Sequence, residues 1–242
     1  MQNELGLIVA LAAASLAPFL VTTGTCFIKI SIVLSLVRNA IGLQNVPSNM
    51  TLNGIALMLS MFVMLPIAQG VQSYLVQHPL DFSDRGNLER FSTEGLGEYR
   101  AYLLRHARPS LVEYFDRVSR GPVIVLGAGD TRDSQTTPLP ESAADDPVRH
   151  SAGSLDPQSV SLASLLPAYA LSELEDAFRM GFYLYLPFVV IDLVVSSVLL
   201  ALGMMMMSPV SISIPIKLVL FIAMDGWSLL GRGLIDSYVT HP

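Results

Sequence analysis

The chain has little of what most enzyme and nucleic-acid classes need. Of its 242 residues, 14% are charged and only two are lysines, Lys29 and Lys217. Soluble domains carry about 25% charged residues, so this composition points to a membrane or to a heavily apolar assembly. A net charge of -6 disfavours nucleic acid as a partner. The single cysteine, Cys26, excludes an internal disulfide framework, and its apolar surroundings make it a small buried hydrophobe. The four histidines (His78, His106, His150 and His241) are scattered without metal-ligand spacing, and HExxH, GxSxG and CxxC do not occur. Nothing in this inventory calls for a cofactor, a metal or an enzymatic activity.

What the chain does have is long runs without charge. Residues 5–28, 39–80 and 193–216 carry no Asp, Glu, Lys or Arg. A spanning helix needs about 20 mostly apolar residues. The runs predict four hydrophobic helices, at 5–28, 52–75, 181–205 and 211–235. The expected fold is all-α: integral-membrane-type helical hairpins with a helical insertion. The head "MQNE" has an acid and no Lys or Arg, which argues against a cleaved signal peptide. Lys29, Arg38 and Lys217 flank short loops, so the positive-inside rule places 29–51 and the turn near 205 toward the cytoplasm. Residues 81–159, with 13 acids and 9 arginines, would then face the periplasm.

Three regions follow. Residues 1–80 hold the N-terminal hydrophobic helices. Residues 81–160 form the insertion, and 161–242 an amphipathic helix followed by a hydrophobic hairpin. In the insertion, Leu96, Tyr99, Leu103 and Leu104 form one helical stripe and Leu111, Tyr114, Phe115 and Val118 a second, with Pro109 between them. Residues 121–159 are rich in Gly, Pro, Ser and Asp and predict a mobile loop. From 171 to 179, Ser172, Glu173, Glu175, Asp176 and Arg179 make a polar side and Leu171, Leu174, Ala177 and Phe178 an apolar one. That pattern suits an interfacial helix or one packed in a protein collar.

Charges inside apolar segments cost about 2.5–3.5 kcal/mol on insertion scales, so each needs a reason. Folding a hairpin about Ser208 and Pro209 places Asp192 and Asp225 16 residues to either side, each ~24 Å from the turn. Lys217, eight residues past the turn and ~12 Å deep, is then out of reach of Asp192 in its own hairpin. A contact with a neighbouring subunit or toward Asp225 remains open to it. Lys29 and Arg38 read as snorkelling cations at the cytoplasmic side. Pro66, Pro187 and Pro215 fall within apolar helices and can kink them.

The turn itself reads "LGMMMMSP" (202–209), with Met204, Met205, Met206 and Met207 in a row. Successive helical residues point about 100° apart, so four methionines cannot form a helical stripe, but they can crowd a bend. Met is flexible and polarizable. The run therefore serves either as filler at a helix end or, repeated around an axis, as an apolar constriction that excludes water.

Several ordered blocks resemble the SctR/FliP family of type III secretion export components, in its virulence branch. They are "PAYALSELEDAFRMGF" (167–182), "PIKLVLFIAMDGW" (215–227), "FIKISIVLSLVRNAIGLQNVPSNMTLNGIAL" (27–57), "EGLGEYRAYLLRH" (94–106) and "YLPFVVIDLVVSSVLLALGMMMMSP" (185–209). The resemblance spans nearly the whole chain except 121–159. It implies an oligomeric pore-forming assembly in the bacterial inner membrane, protruding on the periplasmic side. Five copies would join SctS-like and SctT-like proteins, with the export gate protein, inner rod and needle as further partners. Exported polypeptides would pass through it. The resemblance also implies that Met204 to Met207 form a pore-sealing loop, and that much apolar surface packs against neighbouring subunits rather than lipid. A secondary transporter or ion-conducting membrane protein is the competing class; it would show internal repeats and polar midplane sites.

Overall fold

The computed structural model describes residues 11, 15, 18–19, 21–43, 46–78, 85–120, 160–204 and 206–239. The loop expected at 121–159 lies outside them, as do most of the apolar residues before 21. All regular structure among the described residues is helical.

The first well-described helix, α1, is Phe27–Ile41. It is not a continuation of one long helix from residue 5. Residues 21–24 are helical, but the backbone turns at Thr25 and Cys26 before α1 begins. The hydroxyls of Thr22, Thr23 and Thr25 donate to carbonyls three or four residues earlier in that short stretch. α1 ends at Gly42, whose φ of 93° is the left-handed conformation that glycine tolerates. Gly42 N bonds to Asn39 O and Leu43 N to Arg38 O, which satisfies the last carbonyls of the helix.

Helix α2, Asn49–Gln77, starts at Ser48, whose side chain accepts from Thr51 N. It contains no charged residue and buries only Leu52, Ala56 and Ser60, so almost its whole length faces outward. The insertion begins with the short helix α3, Arg85–Arg90, and a π-turn at Phe91–Gly95. It continues through α4, Gly97–His106, and α5, Pro109–Arg120. Pro109 opens α5 at the position where its missing N–H costs nothing. Of the two stripes in the insertion, Leu103 is buried, but Tyr114 and Val118 point outward, and the buried residue of α5 is Val112, which lies outside both stripes.

Helix α6, Leu162–Ala201, is the spine of the fold, capped by Ser161 and touching α1, α4, α5 and α7. At 40 residues it merges the amphipathic stretch and the third expected hydrophobic helix into one element. α1 runs along it with a close approach at Gly181, where a Cβ would overlap Leu36. The last hydrophobic segment is two helices, α7 (Pro209–Ala223) and α8 (Gly226–Val239), rather than the single helix expected at 211–235. They are bent by 61°. The corner holds Asp225 in the left-handed region, with φ of 53°. Gly226 follows because Phe221 packs where its Cβ would be. The bend opens an apolar cavity of about 410 Å³ between α6, α7 and α8, lined among others by Tyr183, Phe188, Phe221 and Leu230.

By length and composition, α2 and α6 can each cross a membrane, and α7 with α8 would make a third, broken crossing.

Candidate functional site: paired charges and the methionine turn

Part of the polar side of α6 faces inward. Ser172 and Glu173 are fully buried, while Leu171 and Phe178 are exposed. Burial thus cuts across the two-sided pattern, since Glu175 and Arg179 are exposed and Ala177 is buried, and the polar groups that do turn inward have partners. Lys29 Nζ of α1 lies 3.3 Å from Glu173 Oε1 and 3.9 Å from Asp176 Oδ2. It also sits 4.5 Å above the ring of Tyr238 in α8. The Tyr238 hydroxyl donates to Glu173 Oε2, so both carboxylate oxygens are occupied. Lys29 is thus a buried, paired cation and not a snorkelling one.

The insertion is fastened to this node by hydrogen bonds. Tyr102 and Tyr169 hydroxyls lie 2.7 Å apart, and the His106 ring lies 5.1 Å from that of Tyr238. Arg108 N donates to Ser172 Oγ at 2.8 Å, and the Arg108 guanidinium bridges Glu175 at 2.5 Å and Asp176 at 3.5 Å. Tyr99 donates to Gly24 O at 2.8 Å, where a Cβ on Gly24 would collide with the hydroxyl. Burial pushes the Tyr99 phenol up to about 12 and raises that of Tyr102 as well.

A second node lies nearer the turn. Lys217 Nζ of α7 is 2.6 Å from Asp192 Oδ2 of α6 and donates to Ala40 O in the last turn of α1. This corrects the expectation that the two could not meet within one hairpin. Counting from Ser208 and Pro209 treated residues 202–208 as helix. They are a turn and add no rise. Asp192 is nine residues from the end of α6 at Ala201, and Lys217 is eight from the start of α7 at Pro209, so the two are level. The ammonium also meets the negative end of the α1 dipole. Arg38, buried in that same last turn, reaches forward to Asn49 Oδ1 and Pro47 O and ties α1 to the start of α2. Asp225 is not level with Asp192. The bend carries it to the corner, where it is exposed.

Between α6 and α7 the two helices are held a short distance from their ends, and the turn projects beyond. Gly203, with φ of 75°, closes α6: Gly203 N bonds to Leu200 O and Met204 N to Leu199 O. Leu202, Met204 and Met207 are about half exposed or more, and Met206 is completely exposed. Met205 lies outside the described residues. Among the described residues no group of His, Cys, Asp and Glu is arranged to hold a metal ion.

A long helix with Glu173 buried among partners and many apolar side chains left outside, ending in a turn of exposed methionines, fits the blocks that pointed to the export family. The family model described as the FliP family matches residues 10–234. The chain belongs to the FliP family. It is 50% identical over 239 residues to the surface presentation of antigens protein SpaP of Salmonella typhimurium, covering 99% of this chain and 98% of that one. It is 39% identical to Yop proteins translocation protein R of Yersinia pestis, covering 98% of both. It is 38% identical to the harpin secretion protein HrcR of Erwinia amylovora, covering 95% of this chain and 94% of that one. These are type III secretion proteins of the SctR kind, and the FliP-family chain described here carries the membrane-length helices that go with protein export.

Glu173, Tyr102, Tyr169 and Tyr238 were not among the residues the sequence pointed to as a site. The clue available was Glu173 itself, an acid between Leu171 and Leu174. Its lysine lies 144 positions away.

Proposed function

We propose that this chain is the pore-forming subunit of a type III protein export apparatus in the bacterial inner membrane. Unfolded substrate proteins pass through a constriction made by Met204, Met205, Met206 and Met207 from several copies. The observation that carries this reading is the methionine turn. It leaves flexible apolar side chains uncovered at the tip of a hairpin that Lys217 and Asp192 hold together. A ring of such tips excludes water and ions, yet parts around a passing chain, because Met side chains adapt to changing shapes.

The outward apolar side of α6 and the nearly bare α2 ask for cover that one chain does not supply. Copies of the chain, five in number, together with SctS-like and SctT-like proteins, would provide it. The assembly would protrude on the periplasmic side and seat the inner rod and needle, with the export gate protein as a further partner. The relatives' names speak of Yop translocation, harpin secretion and antigen presentation. We carry from them only the shared theme of moving proteins.

The test changes Met205, Met206 and Met207 together to Ala in cells that make the complete complex. Oligomer size on native gels stays close to wild type, and a membrane-impermeant dye enters. An Ala variant that assembles and stays as tight as wild type would remove the constriction from this proposal. A carrier reading draws on one observation, the ion pair of Lys217 and Asp192 inside apolar helices. It is favoured if Lys217→Met assembles normally yet abolishes proton-dependent transport.

A further inference from the structure

Exposure at the turn has a chemical consequence that the packed methionines do not share. Met206 is completely exposed and Met204 and Met207 are half exposed, whereas Met64 and Met180 are partly covered by the core cluster. Met50, Met58, Met61 and Met224 are exposed too, but singly on helix faces and a corner rather than side by side in one turn. Thioether sulfur is a target for two-electron oxidants, and the sulfoxide is polar where the thioether is apolar. An apolar constriction works only while its surface repels water.

We propose that the methionine turn is a reversible oxidation site that switches the constriction from sealed to leaky; this rests on the pore reading above. The oxidant is a hydroperoxide. Its terminal oxygen is transferred to the sulfur of Met206 or a neighbour, forming the S–O bond as the O–O bond breaks. The sulfur gives up two electrons. The other peroxide oxygen takes a proton and leaves as water (from hydrogen peroxide) or as an alcohol. No bond in the methionine is lost. Reversal uses a dithiol: its two hydrogens carry the oxygen off as water, the sulfur regains two electrons, and the dithiol becomes a disulfide. This is the reaction of the methionine sulfoxide reductases.

The two forms differ in what they do to water at the tip. Thioether side chains offer no strong hydrogen-bond partner, so a narrow ring of them stays dry. Each sulfoxide oxygen is a strong acceptor and holds water in place. A few oxidised side chains in such a ring give water and ions a continuous path, without any change in helix packing. Gly203 and the backbone bonds that close α6 involve no methionine side chain, so the closure of α6 does not depend on the thioethers.

The experiment uses the assembled complex in membranes, treated with graded hydrogen peroxide. Peptide mass spectrometry follows one-oxygen gains at 204–207 against the internal references Met64 and Met180. Dye entry or ion conductance is read in parallel. The turn gains oxygen on the order of tenfold faster than the reference methionines. Leak rises on the order of tenfold with it and falls again after treatment with methionine sulfoxide reductases A and B. A variant with Met204, Met205, Met206 and Met207 all changed to Leu cannot take up oxygen there. Whatever its resting leak, that leak does not respond to peroxide. The proposal is overturned if the turn oxidises no faster than Met64 and Met180. It is also overturned if the turn oxidises fully without a change in leak, or if the Leu variant responds to peroxide as wild type does. A triple Ala variant that leaks while the oxidised wild type stays tight defeats the switch and spares the pore. If neither leaks, the pore reading itself fails.

Discussion

Lys217 Nζ lies 2.6 Å from Asp192 Oδ2 and 3.2 Å from the carbonyl of Ala40, so one ammonium joins α7, α6 and α1 just behind the methionine turn. The pair is lopsided. The lysine side chain is 6% exposed and the aspartate side chain 40%.

That asymmetry sets the order of the mutants. Asp192→Leu strands a buried ammonium, and breaking a buried pair in this way costs about 3–5 kcal/mol. Lys217→Met leaves an acid that water reaches, at a cost nearer about 1 kcal/mol. Lys217→Arg keeps the charge and most of the stability. The double change Asp192→Leu with Lys217→Met is milder than Asp192→Leu alone. Thermal unfolding of the detergent-extracted protein gives the ranking, and a Lys217→Met variant less stable than Asp192→Leu would contradict it.

At the other node the weight falls on the acid. Lys29→Met leaves Glu173 fully buried with Tyr238 as its remaining hydrogen-bond donor, a loss of about 3–5 kcal/mol. Glu173→Gln in the Lys29→Met background removes the uncompensated charge and recovers a good part of that. Accumulation of the chain in membranes and its resistance to protease report both effects.

The crossing of α1 and α6 is set by Gly181. An added Cβ overlaps the Leu36 side chain, so Gly181→Ala destabilises by about 1–3 kcal/mol. Leu36→Ala clears the space and makes Gly181→Ala better tolerated than in wild type. A double-mutant cycle by thermal unfolding measures that coupling, and additive effects would mean that the two do not touch.

Alkali should loosen the insertion first. The ordinary tyrosine value is about 10, and burial raises Tyr99 to about 12 in the folded chain. The folded state therefore holds its proton more tightly than the unfolded one. The contribution is complete below about pH 10 and is lost as pH climbs from there toward 12. Tyr99→Phe flattens this alkaline loss. Protease sensitivity of residues 97–120 against pH follows it.

How much of this could be read beforehand differs from residue to residue. The apolar runs gave α2 and the hydrophobic part of α6 because length and lack of charge are properties of a single segment. The methionine turn was equally visible, since Gly203 and Pro209 bracket it. The two-sided pattern at 171–179 was visible too, but not its direction. Hydropathy assumes that polar groups seek water, whereas Glu173 seeks Lys29 and Tyr238, partners distant in sequence. Lys217 and Asp192 look out of reach from sequence because a count along the chain takes the turn for helix. The corner at Asp225 gave no warning, as no proline stands there and the left-handed backbone of a non-glycine residue leaves no mark in composition. What covers the apolar faces is not legible in hydropathy, because an apolar face reads alike whether lipid or protein covers it.

The inward polar groups of α6 have a consequence beyond this fold. Its helices are fastened to one another by ammonium, carboxylate and phenol groups that lie mostly inside, and many of its greasy side chains look outward. The medium in contact with those faces can therefore be exchanged without unpicking the fastenings. A chain built this way is portable: its fold does not depend on which apolar medium covers its outer faces.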